Sequence, residues 1–195
     1  MNDDGDPDVP DVFDRLRRRV LWSMPTGLFV VGSRAGETRN LMTCNWVMQI
    51  ATMPKLVAVA VESDSLTRDL IERGGSFSVS LLARSDRGLV RRFVKPVRSV
   101  ETDAAGVAIS MQGEPVIEVE NGLPCLAKSV AWLACSVHSL VNWDGLQPTG
   151  PGVSPASHVL AVGEVAAVGE SDRLASPDDD DAILSMVDTR MNYGG

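Results

Sequence analysis

Apolar residues recur along this chain on two different periods. Phe13, Leu16, Val20 and Leu21 fall at helical spacing while Arg17, Arg18 and Arg19 face away, which predicts a short helix over 13–22. Met24-Pro25-Thr26-Gly27 stops it. Beyond that point the period shortens toward two. Residues 28–32 form a short apolar run, and 40–51 mix polar and apolar positions. Residues 56–62 are rich in Val and Ala and read as a strand buried on both faces. Residues 77–82 alternate Phe, Val and Leu with Ser, the period of a strand. Residues 132–140 and 158–168 read as two longer strands of one hairpin, with the Gly- and Pro-rich stretch 142–155 as the loop at its tip. Two further helices are predicted: 65–73, from a Ser65 cap to the Gly74-Gly75 stop, and 86–93 after Ser85. Many short strands with a few helices predict a mainly β fold, a closed or partly closed barrel.

The first eleven residues, rich in Asp and Pro, read as a disordered acidic tail, and 12–195 as a single domain. The opening MNDDGDPDVPD has no basic and apolar regions of a signal peptide, and the apolar run 56–61 is too short to span a bilayer. The formal charge of −8 is unevenly placed: six acids lie in the first fourteen residues and four in 178–181. The remaining sixteen acids meet eighteen Lys and Arg, so the folded body is near +2. That balance suits a small anionic ligand. It gives no broad basic field, and no aromatic stripe, for nucleic acid. Cys44, Cys125 and Cys135 are odd in number and include no CxxC pair, which argues against a disulfide framework or zinc site and for a cytoplasmic protein. The 178–181 acidic run reads as a solvated loop or helix start.

Several short segments, in order, resemble the flavin reductase-like family. They are Pro25-Thr26-Gly27-Leu28-Phe29-Val30-Val31, Leu41-Met42-Thr43-Cys44-Asn45-Trp46, Met53-Pro54 before the Val-rich strand, and Ser65-x-Thr67. Gly75-x-Phe77-x-Val79-x-Leu81-Leu82, Leu89-x-x-Arg92-Phe93, Trp132-Leu133-x-Cys135 and Ser157-His158 leading to Gly163-Glu164-Val165 complete the series. The resemblance covers about 13–193 and implies a Greek-key-like, FMN-binding split β-barrel that forms a homodimer. Trp46 stands where many members carry a small residue.

What the resemblance implies about the site can be set beside the residues themselves. FMN offers a dianionic phosphate, a flat apolar ring and a polar pyrimidine edge. Ser65 and Thr67, at a predicted helix start, suit the phosphate, and the resemblance adds Arg92 with Phe93 beside it. Thr43, Cys44, Asn45 and Trp46 are expected along the ring, with Ala60, Val61 and Glu62 near ribityl and ring and Asn40 at the strand start. Read alone, Ser65 is a helix cap, Arg92 a solvated charge, Trp46 a core residue and Cys44 a small buried filler. The resemblance places His158 on the nicotinamide side of the flavin, where it orients the reductant or buffers charge; read alone it is structural. His138 reads as a hairpin surface residue, and Tyr193 as a lid or a strand end.

Hydride transfer between NADH or NADPH and a flavin asks little acid–base chemistry of the protein, so neither a catalytic triad nor a metal site is expected. No GxGxxG opens a βαβ unit, which excludes a Rossmann reading. The implied activity is NAD(P)H-dependent reduction of FMN, with FAD as the other flavin, and delivery of reduced flavin to oxygen, a monooxygenase component or another acceptor. The alternatives are a barrel that holds flavin or haem without turnover, and a deazaflavin-dependent oxidoreductase.

Overall fold

The computed structural model describes residues 12–142, 157–174, 183–189 and 191. The acidic tail, most of the 142–155 loop, the 178–181 run and Tyr193 lie outside them. The chain is mainly β with two α-helices. In chain order these are α1 (Val12–Trp22), β1 (Phe29–Ala35), β2 (Thr38–Cys44), β3 (Val47–Thr52), β4 (Lys55–Glu62), α2 (Leu66–Gly74) and β5 (Ser76–Leu81). Four short strands follow, β6 (Val100–Thr102), β7 (Ala108–Met111), β8 (Glu114–Glu118) and β9 (Pro124–Leu126), and then the long hairpin β10 (Ala131–Val141) and β11 (His158–Glu170).

Seven strands form one antiparallel sheet in the order β2-β1-β5-β10-β11-β4-β3. Its outermost strands are consecutive in sequence: β2 ends at Cys44 and β3 begins at Val47. Three residues of extended chain reach only about 10 Å. The sheet must therefore curl enough to bring the end of β2 and the start of β3 together, and Asn45 and Trp46 occupy this seam. One bond crosses it, from the Cys44 thiol to the Ala60 carbonyl at 3.5 Å, while the Ala60 amide, donating to the Trp46 carbonyl at 3.0 Å, continues the β3–β4 ladder. Curling also explains the core. Val31, Val79, Cys135, Ala161 and Val59, from five different strands, pack into one cluster with Phe77 and Ile71.

The opposite face of β1, β2 and β5 is covered by a second sheet, ordered β6-β7-β8-β9. Val30 and Val31 therefore point to opposite sides and are both fully buried. This explains why 28–32 is continuously apolar rather than alternating. The Ser positions of β5 are buried for the same reason. Ser78 Oγ donates to the Pro124 carbonyl at 2.7 Å, and Ser80 Oγ accepts from the Leu126 amide at 3.1 Å, so β9 satisfies them. Gly32 permits that approach, since a Cβ there would stand 2.0 Å from the Pro124 carbonyl oxygen.

The α2 helix forms as its caps predict. Ser65 Oγ accepts from the Arg68 amide, and Gly75 turns left-handed at φ 66°, a conformation glycine adopts without a Cβ penalty. The predicted helix over 86–93 is instead two 3-10 turns, Arg84–Asp86 and Leu89–Phe93. Gly88 lies between them, and eight residues are too few to nucleate an α-helix that Gly interrupts. α1 forms as expected but buries none of its residues, leaving Phe13, Leu16 and Val20 exposed. Among the described residues no helix is long and apolar enough to cross a membrane.

Candidate functional site at the sheet seam

A cavity of about 290 Å³ opens where β2, the seam, the end of β4, the start of α2 and the start of β11 converge. Asn40, Thr43, Cys44, Asn45, Trp46, Ala60, Glu62, Ser65, Thr67 and His158 all line it. Residues spread over more than a hundred positions are thus gathered by the curling of one sheet.

Three candidates are elsewhere. Val61 alternates away from Ala60 and Glu62 into the core cluster with Val59 and Phe77. Phe93 is wholly buried in the other core cluster, beside Leu89 and Val90. Arg92 turns toward the small sheet: its Nε sits 3.1 Å from Glu114 Oε1 and its Nη1 donates to the Gln112 carbonyl at 3.3 Å. Glu114 is buried, so its carboxylate holds the guanidinium there. Sequence reasoning missed Met42, Asp64, Leu66, Val94, Lys95 and Pro96, which complete the lining. Lys95-Pro96 carried a signal, because a residue before proline leaves helical geometry and so marks where the chain exits the 3-10 turn.

The lining residues divide by what their polar atoms already do. Thr43 Oγ1 donates to the Val90 carbonyl at 2.5 Å, which ties β2 to the second 3-10 turn. Ser65 Oγ donates to the Glu62 carbonyl and accepts from the Arg68 amide, so it is fully used as a cap. Burial pushes the Cys44 thiol up to about 12, partly opposed by a backbone hydrogen bond at Trp46, so this thiol stays protonated at neutral pH. It is a filler, as its residue type suggested. His138 is exposed on β10.

Other groups are unspent. The Asn45 side chain is 6 % exposed, and its amide has no partner among the described residues. Its polar atoms are not among the fully buried unpartnered ones, so they are open to a ligand or water. The first amides of α2, Leu66 and Thr67, lack intrahelical acceptors by position. In the same lining Trp46 and His158 meet edge to face. The cavity therefore offers helix-start donors, an unpartnered amide at the seam and aromatic surface. Those are the chemistries that a flavin mononucleotide's phosphate, pyrimidine edge and ring require, so the residues fit that group.

The model of the flavin reductase like domain matches residues 21–194. The chain belongs to this family. An NADH-dependent FAD reductase from Streptomyces globisporus is 31% identical over 134 residues, which are 68% of this chain and 70% of that protein. A diflavin flavoprotein from Nostoc sp. is 32% identical over 113 residues, 57% of this chain but 19% of the relative. This flavin reductase-like chain thus spans about a fifth of the length of the diflavin flavoproteins it matches. Among solved structures, the styrene monooxygenase flavin reductase from Pseudomonas putida S12 superposes with a TM-score of 0.58 at 26% identity, over 80% of this chain and 86% of that one. The Streptomyces globisporus NADH:FAD oxidoreductase, in complex with NAD and FAD fragments, gives a TM-score of 0.62 at 24% identity, over 88% and 99%. That likeness speaks for the fold.

Proposed function

We propose that this flavin reductase-like protein is an NAD(P)H-dependent flavin oxidoreductase that binds FMN, or FAD, at the seam cavity. The observation that carries the reading is the convergence of ten expected residues on one cavity, among them Asn45, whose amide has no partner among the described residues. Flavin, when bound, supplies the hydride-accepting ring. The chain supplies the rest. The seam backbone and Asn45 hold the pyrimidine edge, the start of α2 receives the phosphate, and Trp46 with His158 bounds the space for a nicotinamide. Orientation of two planar partners is the main contribution such a site makes to rate.

The closed form of the curled sheet is a split β-barrel, and it works as a homodimer in the cytoplasm. The exposed apolar faces of α1 and of the β3 hairpin, where Met48 and Met53 are 64 % and 88 % exposed, support burial against a second copy. Cys44, Cys125 and Cys135 are free and buried, which suits a reducing compartment. Reduced flavin is delivered to a monooxygenase component, in keeping with the name of the Pseudomonas putida relative.

Purified protein mixed with FMN or FAD is expected to oxidise NADH or NADPH, followed by the loss of nicotinamide absorbance, only when flavin is present. Tight flavin binding with neither nicotinamide oxidised would refute turnover and leave a flavin-holding role.

A further inference from the structure

The phosphate end of the cavity needs a cation, and Arg92 is not free to supply it. Its guanidinium is bound to Glu114 and to the Gln112 carbonyl, and removing it would leave a buried carboxylate with only Lys128, at 3.7 Å, for compensation. Three residues later the chain presents another cation to the cavity itself. Lys95 lines it together with Ser65, Leu66 and Thr67, is exposed, and makes no ion pair among the described residues.

The two walls that carry these groups are fixed to each other. Asn40 is 2 % exposed; its Nδ2 donates to Thr67 Oγ1 at 2.9 Å and its Oδ1 accepts from the Val97 amide at 2.8 Å. One buried side chain thus holds the start of α2 against the 94–97 segment. Thr67 Oγ1 accepts from Asn40, which leaves its own proton free. Leu66, Thr67 and Lys95 therefore line one cavity and carry donors that no hydrogen bond or ion pair among the described residues uses. A phosphate monoester uses that set fully, through hydrogen bonds at a helix start plus one point charge. Glu62 and Asp64, both exposed, line the same cavity and outnumber Lys95, so a phosphate there depends on the local donors of α2 and the Lys95 charge rather than on the charge of the cavity as a whole.

We propose that Lys95, rather than Arg92, is the cation that binds the phosphate of the flavin mononucleotide, with Asn40 as the positioning residue that holds it opposite α2. This rests on the flavin reading above. The test compares FMN with riboflavin, which has the same ring and no phosphate, by fluorescence titration of the full chain. Lys95→Met is expected to weaken FMN about ten- to a hundredfold, the worth of a hydrogen bond to a charged group, and to leave riboflavin within about twofold. Lys95→Arg is expected to recover most of the lost FMN affinity, and Arg92→Ala to leave the ratio of FMN to riboflavin affinity unchanged. Rising salt should weaken FMN less in Lys95→Met than in the parent. An unchanged affinity ratio in Lys95→Met would overturn the assignment while the flavin reading stands. Failure of the parent protein to bind either flavin would overturn the flavin reading, and the Lys95 assignment with it.

Discussion

The rings of Trp46 and His158 meet edge to face, with centroids 4.8 Å apart and planes at 71°. Trp46 comes from the seam and His158 from the first position of β11, opposite Glu62 on β4. His158 Nδ1 lies 2.8 Å from Ser157 Oγ. The imidazole is thus held by a hydroxyl on one edge and an indole on its flank, an orientation that neither neighbour alone would fix. It leaves the ring at the cavity with one direction to face.

From this arrangement His158→Ala is expected to lower kcat/KM for the nicotinamide by about ten- to a hundredfold through lost positioning. FMN affinity should change by less than about threefold, because His158 supplies none of the donors at the start of α2. Steady-state kinetics with varied NADH, alongside flavin titration, separate the two. An equal loss in both would place His158 on the flavin itself.

The contact between the two sheets should be intolerant at one backbone position. A Cβ at Gly32 would meet the Pro124 carbonyl at 2.0 Å and Ser78 Oγ at 2.3 Å, and backbone cannot step aside as a flexible side chain does. Gly32→Ala is expected to destabilise the fold by roughly 1–3 kcal/mol, the usual cost of overpacking. Urea unfolding followed by tryptophan fluorescence would show it as a lower midpoint at constant slope. An unchanged midpoint would mean that β9 is not seated on β1 as described.

Much of this architecture is legible in the chain, and the parts that are not share a cause. Ser65 and Gly75 mark the limits of α2 because capping is local chemistry. The β10–β11 hairpin is visible because both strands exceed ten residues. By contrast β6 and β9 have three residues each, too few to express a period, and Pro124 opens β9, where proline weakens the signal of a strand. The site divides in the same way. Thr43 through Trp46 could be placed on the cavity from their position in one segment. Whether Arg92 or Lys95 faces it depends on Glu114, which is distant in sequence and buried only because the small sheet forms.

That small sheet is anchored by charge. Glu118 on β8 accepts from Arg39 Nε at 2.7 Å, from Arg34 Nη1 at 3.0 Å and from the Ala108 amide at 2.9 Å. Only 3 % of the Arg39 side chain is exposed, so its charge depends chiefly on this carboxylate, with the exposed Glu37 carboxylate at 3.8 Å a weaker second. Glu118→Ala is expected to cost about 3–5 kcal/mol, mostly the penalty of an uncompensated buried guanidinium. Replacing Arg39 and Glu118 together by apolar residues should cost less than the sum of the single changes. A double-mutant cycle in urea measures that coupling, and simple additivity would contradict it.

The seam should also give the protein an alkaline limit. The Cys44 thiol, raised by burial to about 12 from 9.0, holds its proton in the folded state over a range in which the unfolded chain has lost it. Between those values the folded state binds more protons than the unfolded one, so stability falls as pH rises. The contribution is fully present below about pH 9 and declines by about 1.4 kcal/mol for each pH unit above it, until the folded thiol itself ionises near 12. Cys135 is pushed to about 12 by burial and adds to the same slope. Cys44→Ala should therefore be less stable than the parent at pH 7, from the lost packing of the sulfur, yet lose stability less steeply between pH 9 and 11. Urea midpoints taken across that range would decide the matter, and parallel curves for the two proteins would show that Cys44 ionises as readily folded as unfolded.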